Sequence, residues 1–256
     1  MFNEKEGEGP KSQGFLDKNR EVLASWIRDF IEVALTLSVT LILLRVLLGA
    51  QMIVPLVVVT TGSMIHSEGD NSWIFWLNER GIGNDTIRDM PLTGGFNPGD
   101  MMIVMRPEVK LGDVIIYERD FIYGKLGLEP IIHRVVGIVY VNDSKVVSTE
   151  GTLDCFKKDD FNKYIEYVDK CKIQKTGCPY PSVPKNSSYK FYLTKGDANA
   201  VLDQCALKNN ISIPVNEAQI PAKAWIRLPY VGYLKLILNA ILSIPLYLFK
   251  ILTLQF

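Results

Sequence analysis

Only two histidines, His66 and His133, occur in the 256 residues, so an imidazole base or metal ligand has very few candidates. The four cysteines contain no Cys-x-x-C pair. That removes the arrangement that lowers a thiol pKa for redox exchange. Their spacings match no usual zinc-finger pattern, and neither histidine lies beside them. Charge of one sign is also missing: 28 basic side chains balance 28 acidic ones. Nothing in that balance points to nucleic acid as a partner. Helical periodicity is scarce between the two ends of the chain.

What the chain does have is apolar sequence near both ends. Residues 31–49 read IEVALTLSVTLILLRVLLG, with Glu32 near the start and Arg45 near the end. Extended back toward Trp26 or Phe30, this run reaches the roughly 20 residues that a membrane-spanning helix needs. Its length and polar preceding flank favour a retained span over a cleaved signal peptide. Lys5, Lys11, Lys18, Arg20 and Arg28 precede it and place the flank in the cytoplasm by the positive-inside rule. A second apolar stretch runs over 233–256. Its polar positions Lys235, Asn239, Ser243, Tyr247 and Lys250 fall three or four apart, a narrow stripe on a helix. It fits a second span or an interfacial helix.

The expected organisation is therefore a cytoplasmic tail over 1–29, a transmembrane helix over 30–50, an extracytoplasmic domain over 51–232 and a C-terminal helix over 233–256. In the domain, β-branched runs recur at 53–60, 101–105, 113–118, 131–141, 145–149 and 189–196, bounded by Gly, Pro, Asn and Asp. They predict a mostly β, largely antiparallel fold anchored by two apolar helices. Two excursions, about 65–96 and 151–188, interrupt the pattern. "NSWIFWLNERGIG" in the first reads as a loop or short helix. The cysteines Cys155, Cys171, Cys178 and Cys205 all fall in this domain and allow three disulfide pairings. Closing Cys171 with Cys178 would leave Cys155 for Cys205. Four Asn-x-Ser/Thr sequons begin at Asn84, Asn142, Asn186 and Asn210. They are open to N-glycosylation only if the domain lies outside the cytoplasm.

Three short stretches carry chemistry. "VVVTTGSMIHS" at 57–67 leads a strand into a glycine turn with Ser63. A serine hydroxyl is a weak nucleophile until a base takes its proton. "IIHRVVG" at 131–137 holds His133 among β-branched residues, where a buried imidazole needs a partner. "LTKGDANAVLD" at 193–203 supplies Asp197 and Asp203, either of which could hold an imidazole in one tautomer.

Together with "NPGD" at 97–100, "LGDVIIY" at 111–117 and "VGYL" at 231–234, these stretches resemble type I signal peptidases of the archaeal and endoplasmic-reticulum branch. The resemblance runs from the first apolar helix to the last. It implies a serine endopeptidase that removes signal peptides. Ser63 would be the nucleophile, His133 the general base and Asp203 the third member, with Asp197 also in the site. No cofactor or metal is implied. The implied partners are precursor proteins with signal peptides, the lipid bilayer, and a translocon or accessory subunits. The cleavage site would have small residues at the first and third positions before the cut, in an extended strand. One departure stands out: the family usually has proline where this chain has His66, which makes His66 a rival base. An inactive membrane-anchored scaffold subunit is the alternative reading.

Overall fold

A computed structural model describes residues 11–67, 69, 71–124, 129–174, 176–205, 210–237 and 240. Among the described residues the fold is mixed α/β, 32% helix and 23% strand, with one antiparallel sheet and one apolar helix near the N-terminus. This corrects the expectation of a mostly β domain between two apolar helices. Most of the second apolar stretch, 233–256, lies outside the described residues.

Helix α1, Lys11–Leu48, is 38 residues long and runs back through the polar flank. Its Val22–Leu48 portion has mean hydropathy 2.2 and is unburied, long and apolar enough to cross a membrane. Gly49 ends it in the left-handed conformation (φ 62°), its N–H bonding Arg45 O. The chain then joins the sheet at once, through Arg106 N–H to Leu48 O and Gln51 N–H to Pro221 O.

Among the described residues eight strands follow in chain order: β1 Leu56–Val58, β2 Met101–Met105, β3 Val114–Tyr117, β4 Ile131–Asn142, β5 Lys145–Gly151, β6 Tyr189–Lys195, β7 Val215–Asn216 and β8 Ala222–Leu228. They lie in the order β1-β2-β8-β3-β4-β6-β7, with β5 paired to β4, and every pair is antiparallel. β1 is therefore an edge strand. β6 pairs with β4 only from Arg134 onward, which leaves the same edge of Ile131–His133 open among the described residues. The "NPGD" turn feeds β2: Gly99 takes φ +88°, and Asp100 accepts the Asn97 N–H. β4 is buried almost throughout, because both of its faces are covered by apolar side chains.

Besides the N-terminal extension of α1, helix comes from the two excursions. The first forms α2, Ser72–Glu79, and α3, Asn84–Arg88. The second forms α4, Phe161–Ile173, which buries Phe161, Ile165, Val168 and Cys171 at spacings of four, three and three. Phe161, Ile165 and Val168 share one apolar cluster with Trp73, Trp76 and Leu77 of α2 and with Val139, Phe191 and Leu193 of the sheet. The excursions are thus part of the core. Two disulfides staple the second: Cys155–Cys205 ties it to the loop after β6, and Cys171–Cys178 closes the end of α4.

Candidate active site

His133 and Arg134 are neighbours on β4, so their side chains leave opposite faces of the strand. This dipeptide organises everything around it. On one side, His133 Nε2 is 2.8 Å from Ser63 Oγ, and Nδ1 is 2.6 Å from Asp203 Oδ2. Ser63, His133 and Asp203 form one continuous hydrogen-bonded series. The imidazole is 4% exposed and the carboxylate 2%, so competing water is largely excluded.

Asp203 is held from several directions. Its Oδ2 also accepts from Thr194 Oγ1 at 2.6 Å and Tyr117 Oη at 2.9 Å. Its backbone N–H donates to Thr194 O, and Gln204 Nε2 donates to Thr194 Oγ1. Burial, with the Asp203 charge next, pushes the Tyr117 phenol well above its ordinary range. Tyr117 therefore stays a donor. Tyr117, Thr194 and Gln204 were not singled out in the sequence. Their signal was faint: a tyrosine closing "DVIIY", and two polar residues beside "KGD" and its terminal aspartate.

On the other side, Arg134 is fully buried and grips Asp197 with two nitrogens, Nε at 2.9 Å from Oδ1 and Nη2 at 2.7 Å from Oδ2. Its remaining donors reach Pro91 O, Gly112 O and Leu92 O. Burial alone would raise the Asp197 carboxyl, but the Arg134 guanidinium and the His66 contact overcome it and hold it at about 2. His66 Nε2 lies 3.0 Å from Asp197 Oδ2, and its ring stacks on Trp73 at 4.9 Å. The second histidine thus faces Asp197, and the imidazole beside Ser63 belongs to His133. Asp197 and Asp203, six residues apart in one loop, serve different partners.

The loop carrying Asp197 clamps the serine turn. Ala198 N–H donates to Ser63 O at 2.9 Å, and Asp197 N–H points to Met64 Sδ at 3.3 Å. Gly196 makes this approach possible. A Cβ there would stand 2.8 Å from Ser63 O and 2.9 Å from His133 Nε2. Next to it, Lys195 is 3% exposed and donates to Gly196 O and Asp197 O. Burial pushes its ammonium down to about 8, against the pull of Asp197 and Asp203.

Ser63 opens into a cavity of about 700 Å³. Leu56–Val58 of β1 and Glu129–His133 both line it. These are the two open strand edges described above. Thr61, which also lines the cavity, places Oγ1 3.4 Å from Ser63 Oγ. Among the described residues, no group of three or more His, Cys, Asp or Glu side chains is disposed to hold a metal ion. No protein family, curated protein or solved structure matches the chain.

Proposed function

We propose that this chain is a membrane-anchored serine endopeptidase that removes signal peptides from secreted and membrane protein precursors. The observation that carries the reading is the Ser63–His133–Asp203 series, at 2.8 Å and 2.6 Å. Such distances are those of a nucleophile, its base and the group that orients the base.

In the proposed reaction Ser63 Oγ attacks the scissile carbonyl carbon while His133 Nε2 takes its proton. Nδ1–H donates to Asp203, which steadies the imidazolium as it forms. His133 then returns the proton to the leaving amine, and the acyl group remains on Ser63. Water, activated by the same imidazole, releases it. Thr61 Oγ1, 3.4 Å from Ser63 Oγ, and the Ser63 backbone N–H are the donors proposed for the oxyanion. The precursor lies extended between β1 and residues 129–132 and hydrogen-bonds to their open edges. Asp197 acts through position: it fixes the loop that holds the serine turn.

The proposed topology places the N-terminal flank in the cytoplasm, α1 across the bilayer and the sheet outside. Ser63 follows the end of α1 by 15 residues, which keeps the site near the membrane where a tethered precursor emerges. The test is cleavage of a signal-peptide precursor by purified protein in detergent or lipid, beside Ser63→Ala. A new N-terminus after a small residue, absent with the variant, is expected. Equal cleavage by Ser63→Ala, or none by the native chain with lipid and accessory subunits supplied, overturns the proposal.

A further inference from the structure

The four sequons do not share one environment. Asn84, Asn142 and Asn186 are exposed, and so are the hydroxyl residues two places on, Thr86, Ser144 and Ser188. Asn210 differs. It is half-buried, its Oδ1 is buried with no partner among the described residues, and Ser212 is fully buried with Oγ bonded to Ile213 O.

Their positions in the fold differ as well. Asn142 ends β4, nine residues beyond His133 on the same strand. At about 3.3 Å per residue that is ~30 Å from the candidate site. Asn186 lies beside it, since Asp143 N–H donates to Ser187 O. Asn84 starts α3 at the rim of a separate cavity, lined by His66, Trp73 and Arg88 behind the serine turn. None of the three borders the Ser63 cavity. Asn210 adjoins Ile211, which lines that cavity and whose N–H donates to Asp203 O. An oligosaccharide there would leave from the base of the loop that carries Asp203.

We infer that the chain is N-glycosylated at Asn84, Asn142 and Asn186, and that Asn210 stays bare in the folded protein. The inference rests on the extracytoplasmic placement proposed above. In each transfer the Asn side-chain nitrogen bonds the anomeric carbon of a lipid-pyrophosphate-linked oligosaccharide. The bond from that carbon to phosphate oxygen breaks, the lipid pyrophosphate leaves with the electron pair, and the amide loses one proton. A surface carboxamide tolerates the bulk of the product, whereas a half-buried one does not.

The test is synthesis of the full chain into microsomes with active oligosaccharyltransferase, then glycopeptide mass spectrometry and endoglycosidase digestion. Three mobility steps are expected. Asn84→Gln, Asn142→Gln and Asn186→Gln should each remove one, and Asn210→Gln none. A parallel chain carries a reporter sequon in the exposed turn before α4, made by Lys157→Asn with Asp159→Thr. A modified reporter beside three bare natural sites overturns the inference and leaves the topology standing. A bare reporter, in membranes that modify a control glycoprotein, overturns both. A glycan on Asn210 in protein that retains precursor cleavage overturns the sorting by burial.

Discussion

Replacing each of the two loop aspartates by asparagine should separate chemistry from stability. In Asp203→Asn, the side-chain oxygen can still accept from His133, Thr194 and Tyr117, the three donors that meet at Oδ2. The new amide nitrogen then takes the place of Oδ1, which is buried without a partner among the described residues. Such a buried donor costs ~1–3 kcal/mol of stability. The larger loss is catalytic, because the imidazolium has no carboxylate opposite it. We expect kcat/KM to fall by roughly 10²–10⁴, or ~3–5 kcal/mol in the transition state. In Asp197→Asn, the buried Arg134 loses its counter-charge. Breaking a buried pair typically costs ~3–5 kcal/mol. Arg134 keeps three carbonyl partners, which puts the cost near the lower figure. About 3 kcal/mol lowers the thermal midpoint by about 6–12 °C. Below that midpoint kcat/KM should stay within roughly ten-fold of the native chain, about 1.4 kcal/mol. The sign with pH also follows. The Asp197 carboxyl sits at about 2 when folded against 3.8 ordinarily, so its contribution is complete above 3.8 and vanishes as pH falls toward 2. Precursor cleavage and thermal unfolding of both variants make the assay. An active Asp203→Asn beside an Asp197→Asn of native stability would refute the assignment of the two roles.

His133→Ala should lower kcat/KM by at least about 100-fold, while His66→Ala stays within roughly ten-fold; the reverse pattern in the cleavage assay makes His66 the base. Gly196→Ala should impair cleavage at least about ten-fold with the protein still folded by circular dichroism, since its methyl forces Ser63 and His133 apart; full activity would mean the loop can shift freely. Lys195 binds its proton more weakly when folded (about 8) than unfolded (10.5), so its contribution to stability rises with pH between those values, by at most ~3 kcal/mol. Urea unfolding of native chain and Lys195→Met should therefore diverge across that window, and a constant gap would contradict the buried ammonium. Unreduced peptide mapping should find Cys155–Cys205 and Cys171–Cys178. Removing the first, which closes 50 residues, should destabilise more than removing the second, which closes 7, by about 1–2 kcal/mol on chain entropy.

Strands with dense β-branched residues were legible in the sequence. The runs at 101–105 and 131–141 coincide with β2 and nearly all of β4. β8 escaped, because "AKAWIRL" mixes small and charged residues, and β7 is too short to leave a pattern. The fold class failed for a physical reason. Phe161, Ile165, Val168 and Cys171 form a helical stripe, but Lys, Asp and Tyr between them made the segment read as a loop. At the site, Ser63, His133 and the two loop aspartates could be picked out by residue type and motif, and only the family resemblance favoured Asp203. The split between Asp197 and Asp203 could not. It depends on which face of β4 each carboxylate meets, and the sequence of an irregular loop carries no such register. His66 was legible only as an oddity. Its partner, 131 residues away, becomes visible only when the loop folds back.

The proposed mechanism requires one covalent species, an acyl group on Ser63 Oγ. Rapid mixing of native chain with a short signal-peptide substrate, acid quenching within one turnover, and peptide mass spectrometry would locate it. The proposal predicts the N-terminal fragment esterified to Ser63, and no adduct with Ser63→Ala. An adduct on another residue such as Thr61, or undiminished turnover by Ser63→Ala, would contradict it.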